Sequence, residues 1–148
     1  MPRPSRRARL ACAIGVVAAS PFAGCSEVET ESSTGYEPSA LEPVKGSPDL
    51  QRVSFTAEGA RRIGLRTASV RRSAGHRVVP YAALLYDPEG NTYVYTSPRP
   101  LVYLRAEVRV ARVDGDRVLL SEGPRVGTEI VTVGAAEVYG TEREVPSH

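Results

Sequence analysis

Residues 101–113 read LVYLRAEVRVARV, and their alternation decides the fold class. Val102, Leu104, Ala106, Val108 and Val110 fall on one parity; Tyr103, Arg105, Glu107 and Arg109 fall on the other. A strand turns successive side chains to opposite faces, so a period of two predicts one buried and one wet face. Asp114-Gly115-Asp116 then reads as a hairpin turn with glycine supplying positive φ, and Arg117–Ser121 as the returning strand.

Working outward, Asp87-Pro88-Glu89-Gly90-Asn91 is a turn between strands at 83–86 and 92–96, and Pro98 and Pro100 are expected to end the latter. Residues 65–72 and 77–80 read as extended. Gly123-Pro124 and Gly127 lead into a last strand at 129–133, which Gly134 closes. Thr56 is placed to cap a short helix through Arg62, with Gly64 just past its end. Gly59 stands where a capping box would need Glu or Gln. Turn signals recurring about every 8–12 residues predict a mainly β domain over 53–142. The expected form is a small β-barrel or sandwich with one short helix, followed by a disordered tail at 143–148.

Charge divides the rest of the chain. Of 19 Lys and Arg, Arg3, Arg6, Arg7 and Arg9 open the sequence, and all 17 Asp and Glu come after residue 24. The ten apolar or small residues from Leu10 to Ala19 are too few for a bilayer span of roughly 20 and fit a signal-peptide core. Phe22-Ala23-Gly24-Cys25 resembles a bacterial lipobox, with Phe22 where Leu is usual. That resemblance implies a lipoprotein signal peptide at 1–24 and lipidation of Cys25, whose acyl chains would hold the protein on membrane lipid. Cys12 would leave with the leader, so the domain must stand without thiol or disulfide. Residues 25–52 carry six acids against Lys45 and Arg52, three prolines and no apolar period. They predict an acidic, flexible tether. The basic excess belongs to the leader, so nucleic acid is not an expected partner.

Little in the sequence points to catalysis. There is no phosphate loop, G-x-S-x-G or H-E-x-x-H. His76 and His148 lack neighbouring ligands, so no metal, cofactor or catalytic residue is assigned and no enzyme is expected. Asp87 and Glu89 read as turn chemistry. Tyr86, Tyr93, Tyr95 and Tyr103 read as half-buried strand aromatics. Arg61, Arg62, Arg66, Arg71, Arg72 and Arg77 read first as a solvated exterior and second as a docking patch.

Two stretches resemble periplasmic adaptor subunits (membrane fusion proteins) of resistance-nodulation-division efflux systems, the heavy-metal branch in particular. Residues 53–70, VSFTAEGARRIGLRTASV, are similar to the start of the folded part of such adaptors. Residues 79–142 are similar to their C-terminal end, through Val79-Pro80 before Ala82-Ala83-Leu84, the DPEG turn, DGDRVLL, and Gly127 before IVTVGAAEVYG. A full adaptor carries a helical hairpin, a lipoyl-like domain and most of a β-barrel between these stretches. Here only residues 71–78 separate them. The resemblance therefore implies a membrane-proximal domain standing alone on its anchor, in the cell envelope and facing the periplasm. Its implied role is non-catalytic: an accessory or minimal adaptor that docks on an inner-membrane efflux transporter, beside a full-length adaptor. The alternative is a standalone envelope lipoprotein or degenerate remnant that binds a small ligand or no transporter.

Overall fold

The longest strand of the domain also organises it. The computed structural model describes residues 37–143. The expected leader, Cys25 and the first part of the expected tether lie outside these residues, as does His148. In chain order the elements are β1 (Ser39–Val44), β2 (Ser47–Phe55), α1 (Ala57–Ile63), β3 (Arg66–Ser69), β4 (Arg71–Ser73) and β5 (His76–Pro80). A single 3-10 turn (Tyr81–Ala83) precedes β6 (Leu85–Tyr86) and β7 (Thr92–Arg99). β8 (Val102–Asp114), β9 (Arg117–Glu122), β10 (Glu129–Val133) and α2 (Ala135–Arg143) complete the chain. The fold is mainly β, as the alternation at 101–113 predicts.

β8 divides its length between neighbours. Its first part pairs with β7, from Arg99↔Val102 to Thr92↔Val108, and Val102–Leu104 pair with β2 on the other edge. Two bulges, at Arg109/Val110 and Val110/Arg112, then turn the strand, and its last part pairs with β9. The ladder runs β3-β10-β7-β8-β9-β5-β4. Its two end strands are covalent neighbours, because only Val70 lies between Ser69 and Arg71. Two peptide units span at most about 8 Å. A seven-strand path whose ends are held that close must curl round on itself. Val70 faces the inside of the curl, and its backbone bonds to Gly127 and Thr128, each at 2.9 Å, just before β10.

The curled strands are packed on both faces. Val94 and Tyr95 are adjacent in β7, Ile130 and Val131 are adjacent in β10, and all four are fully buried. Adjacent strand residues point oppositely, so each pair serves two cores. Val94 and Ile130 join Val79, Val108, Val118 and Leu120 inside the curl. Tyr95 and Val131 join Val53, Phe55, Ala60, Tyr103 and Val138 on the opposite face, under β2 and the two helices. Phe55 and Tyr103 meet edge to face there, with centroids 6.0 Å apart.

α1 forms where the sequence places it. Thr56 Oγ1 accepts the Gly59 amide at 3.0 Å, and Gly64 ends the helix at φ 74°. The β4–β5 link is a tight turn through Ala74 and Gly75, both at positive φ, so residues 53–70 and 79–142 are joined with almost no slack.

Four expectations need correction. The tether does not extend to residue 52: residues 39–52 belong to the β1–β2 hairpin. Composition alone undervalued them, because a hairpin laid on an existing sheet needs only a few apolar contacts, here the buried Val53 and the half-buried Leu41, with Arg52 and Glu42 paired across it at 3.1 Å. Pro98 does not stop β7, because a register shift between Thr96 and Arg99 takes up the residue that cannot donate. The odd face of β8 is not wet throughout, since Tyr103 is buried under the helical layer. The domain has two short helices rather than one, and the second runs through Arg143, the first residue of the expected tail.

Glycines in the two helices give opposite outcomes. A Cβ on Gly59 would stand 2.6 Å from the Pro38 carbonyl oxygen, whereas one on Gly140 meets nothing within 4 Å. Gly→Ala in a helix interior ordinarily stabilises by about 1 kcal/mol. Gly140→Ala is expected to follow that rule in urea unfolding. Gly59→Ala is expected to destabilise instead, by pushing the entry of β1 off α1. A gain in stability for Gly59→Ala would show that this contact has no structural role.

Candidate functional site

The main concentration of buried polar chemistry lies where β2, β7, β8 and α2 meet. Arg105 projects from the odd face of β8, next along from Tyr103. Its side chain is 9% exposed, and its Nε lies 3.3 Å from Glu142 Oε2. Its Nη2 donates to the Asp49 carbonyl at 2.8 Å, and its guanidinium sits 4.9 Å over the Tyr93 ring. Glu142, at the end of α2, accepts the Tyr95 hydroxyl on Oε2 and the Gln51 amide on Oε1 at 3.3 Å. Burial, then the hydrogen bond and charge of Glu142, push the Tyr95 hydroxyl well above the usual phenol range. It therefore remains a donor.

Two depressions flank Arg105. One, of about 360 Å³, is lined by Pro48, Asp49, Leu50, Tyr93 and Glu107. The other, of about 210 Å³, is lined by Gln51, Glu142 and Arg143. Their strongest polar groups are already engaged with one another. The cluster thus ties α2 and β2 to the strand layer. No buried side-chain nitrogen or oxygen among the described residues lacks a partner. No three His, Cys, Asp or Glu among them converge as a metal site would require.

Asp87 behaves as its turn suggests. Its carboxylate accepts the Asn91 amide at 2.7 Å, the Asn91 side chain at 2.8 Å and the Tyr93 hydroxyl at 3.0 Å. Burial works against its charge, but these bonds and one from the Glu89 backbone outweigh it and hold the carboxyl below its usual value. The four tyrosines separate: Tyr95 and Tyr103 are buried, Tyr93 is half-buried with its hydroxyl on Asp87, and Tyr86 is 54% exposed. Arg61, Arg62, Arg66, Arg71 and Arg72 are all exposed and Arg77 is half-buried, with Arg62 paired to Glu58 at 2.6 Å. His76 is exposed at the β4–β5 turn. Among the described residues, no helix is long and apolar enough to cross a membrane.

Sequence reasoning placed Glu142 at the domain's end without a role. Ala135, Val138 and Glu142 follow one another at intervals of three and four residues, the helical signal that Gly134 and Gly140 obscured. Neither a family model, nor a curated protein, nor a solved structure matches the chain.

Removing one partner of a buried ion pair strands the other, at about 3–5 kcal/mol. Glu142→Ala is expected to lower unfolding free energy by roughly that amount in urea titration. The double change Arg105→Met with Glu142→Leu is expected to cost clearly less than Glu142→Ala alone. Equal losses would mean that the pair is not what holds α2.

Asp87 has a pH signature. A carboxyl held below its usual 3.8 stabilises the fold above that pH, and the contribution vanishes as pH falls through the native value. The stability gap between the parent and Asp87→Asn is therefore expected to close on acidification from neutral pH to below 3.8, measured by unfolding at each pH. A gap constant with pH would mean that the carboxylate charge is immaterial.

Proposed function

We propose that the chain is a lipid-anchored accessory or minimal periplasmic adaptor that docks on an inner-membrane efflux transporter and performs no chemistry of its own. One observation carries the proposal. The two adaptor-like stretches interlock: β2 pairs with β8, and β3 pairs with β10. Each ladder joins one stretch to the other, so each stretch lacks a pairing edge without its counterpart. This supports reading residues 53–142, with the β1–β2 hairpin laid on them, as a self-sufficient membrane-proximal domain. The direct β4–β5 turn supports a form without the helical hairpin and lipoyl-like domain. Binding would rest on shape and on Arg and Tyr contacts at the surface, residue types that dominate interface energetics. The anchor is Cys25, and the polar segment after it ties the domain to the membrane surface.

Chemical crosslinking in intact cells followed by affinity purification tests this. The expected result is a multi-span transporter among the crosslinked partners, together with movement of Cys25→Ser from the membrane to the soluble fraction in high salt. Absence of any transporter, in cells that express one, would favour the standalone lipoprotein. Membrane retention of Cys25→Ser through a high-salt wash, which strips contacts made by charge alone, would remove the lipid anchor from the proposal.

A further inference from the structure

Between Glu58 and Asp87 there is no acidic residue, while six arginines occur: Arg61, Arg62, Arg66, Arg71, Arg72 and Arg77. The fold gathers three of them on one hairpin. Arg71 and Arg72 lie on β4, the last strand of the ladder, and Arg77 lies on β5. Arg72 and Arg77 stand directly opposite each other in the register. Like charges at such a position destabilise a hairpin unless an anion lies between them. No carboxylate does so among the described residues, where the arginines in ion pairs are Arg52, Arg62, Arg105, Arg109, Arg112 and Arg117. Arg77 makes one contact, donating to the Ser121 carbonyl at 3.3 Å.

A cleft of about 260 Å³ opens beside the hairpin, at the seam where the curled sheet meets itself. Ala68, Val78, Val79 and Pro80 give it an apolar floor, and Arg71 and Arg117 stand at its rim with one acid, Asp116. Arg117 is 3.5 Å from Asp114, so Arg71 is the rim cation without an acidic partner.

We propose that the β4–β5 hairpin docks on the anionic surface of a phospholipid bilayer, its guanidinium groups on phosphate oxygens and the seam cleft on the apolar part of a headgroup region. Guanidinium forks match phosphate in geometry and stay charged at every physiological pH. The composition of the hairpin tip favours lipid over protein. Ser73-Ala74-Gly75-His76 offers no large apolar side chain to fill a pocket on a protein partner. A charged lipid surface requires only clustered cations and a shallow apolar contact. The docking is independent of any transporter, and its failure would leave the crosslinking result untouched.

Flotation of the full chain carrying Cys25→Ser, with and without vesicles, tests the proposal. Binding is expected to vesicles containing phosphatidylglycerol, to weaken with salt, and to be absent with pure phosphatidylcholine. Arg71→Gln, Arg72→Gln and Arg77→Gln together are expected to weaken it about a hundredfold, roughly fivefold for each guanidinium. A variant losing three remote charges, Lys45→Gln, Arg61→Gln and Arg99→Gln, is expected to bind as the parent does, with both triples keeping the parent's circular dichroism and neither melting below the parent. Equal binding to both vesicle types, or equal losses in the two triples, would overturn the proposal. So would displacement by inorganic phosphate at constant ionic strength, which would make the ligand a free anion. Capture by polyglutamate but not by vesicles would make it an acidic polypeptide and would overturn the proposal as well.

Discussion

A single residue holds the two ends of the sheet together. β3 and β4 are the outermost strands of the ladder, and Val70 is all that separates them in the chain. This covalent limit closes the path before any side chain is considered. The curl then encloses Val79, Val94, Val118 and Leu120, and burial of those side chains stabilises it. The bulges in β8 follow from the same limit, because a flat strand of thirteen residues could not serve both β7 and β9.

The outer face is held differently. There the strands present Tyr95, Tyr103 and Val131, and the cover is built from pieces of the chain remote from each other in sequence: β2, α1 and α2. Apolar packing is non-directional and does not by itself fix how such pieces sit. The Arg105–Glu142 pair, with Tyr95 and the Gln51 amide, supplies direction. A buried polar cluster of this kind contributes little net energy when complete, but it penalises every arrangement that leaves a member without its partner.

Legibility in the sequence followed the same division. Strands of the curl were visible because their alternation and their turns are local, and Thr56 and Gly64 marked α1 for the same reason. β1 and most of β2 were hidden because their stability comes from the ladder to β8, a contact about fifty residues distant (Arg52↔Leu104). α2 was hidden by Gly134 just before it, by Gly140 within it and by the exchange of an apolar residue for Glu142 at the inward position. Arg105 looked like an ordinary wet-face residue. Only the position of α2 shows that it is enclosed. The even face of β8 was correctly read as apolar, while the odd face depended on what would come to cover it.

The turn at Ala74-Gly75 has a consequence for how such a domain can change. Ser73 and His76 face each other across it, in register, at the protruding end of the outermost ladder. Opposed residues in an antiparallel pair are only about 5 Å apart, the separation at which an inserted module can leave and rejoin a scaffold without moving it. Chain length added at that point costs closure entropy that rises only logarithmically. The curled sheet therefore has a permissive port, through which a whole extra domain can be gained or lost while both cores stay packed as they are.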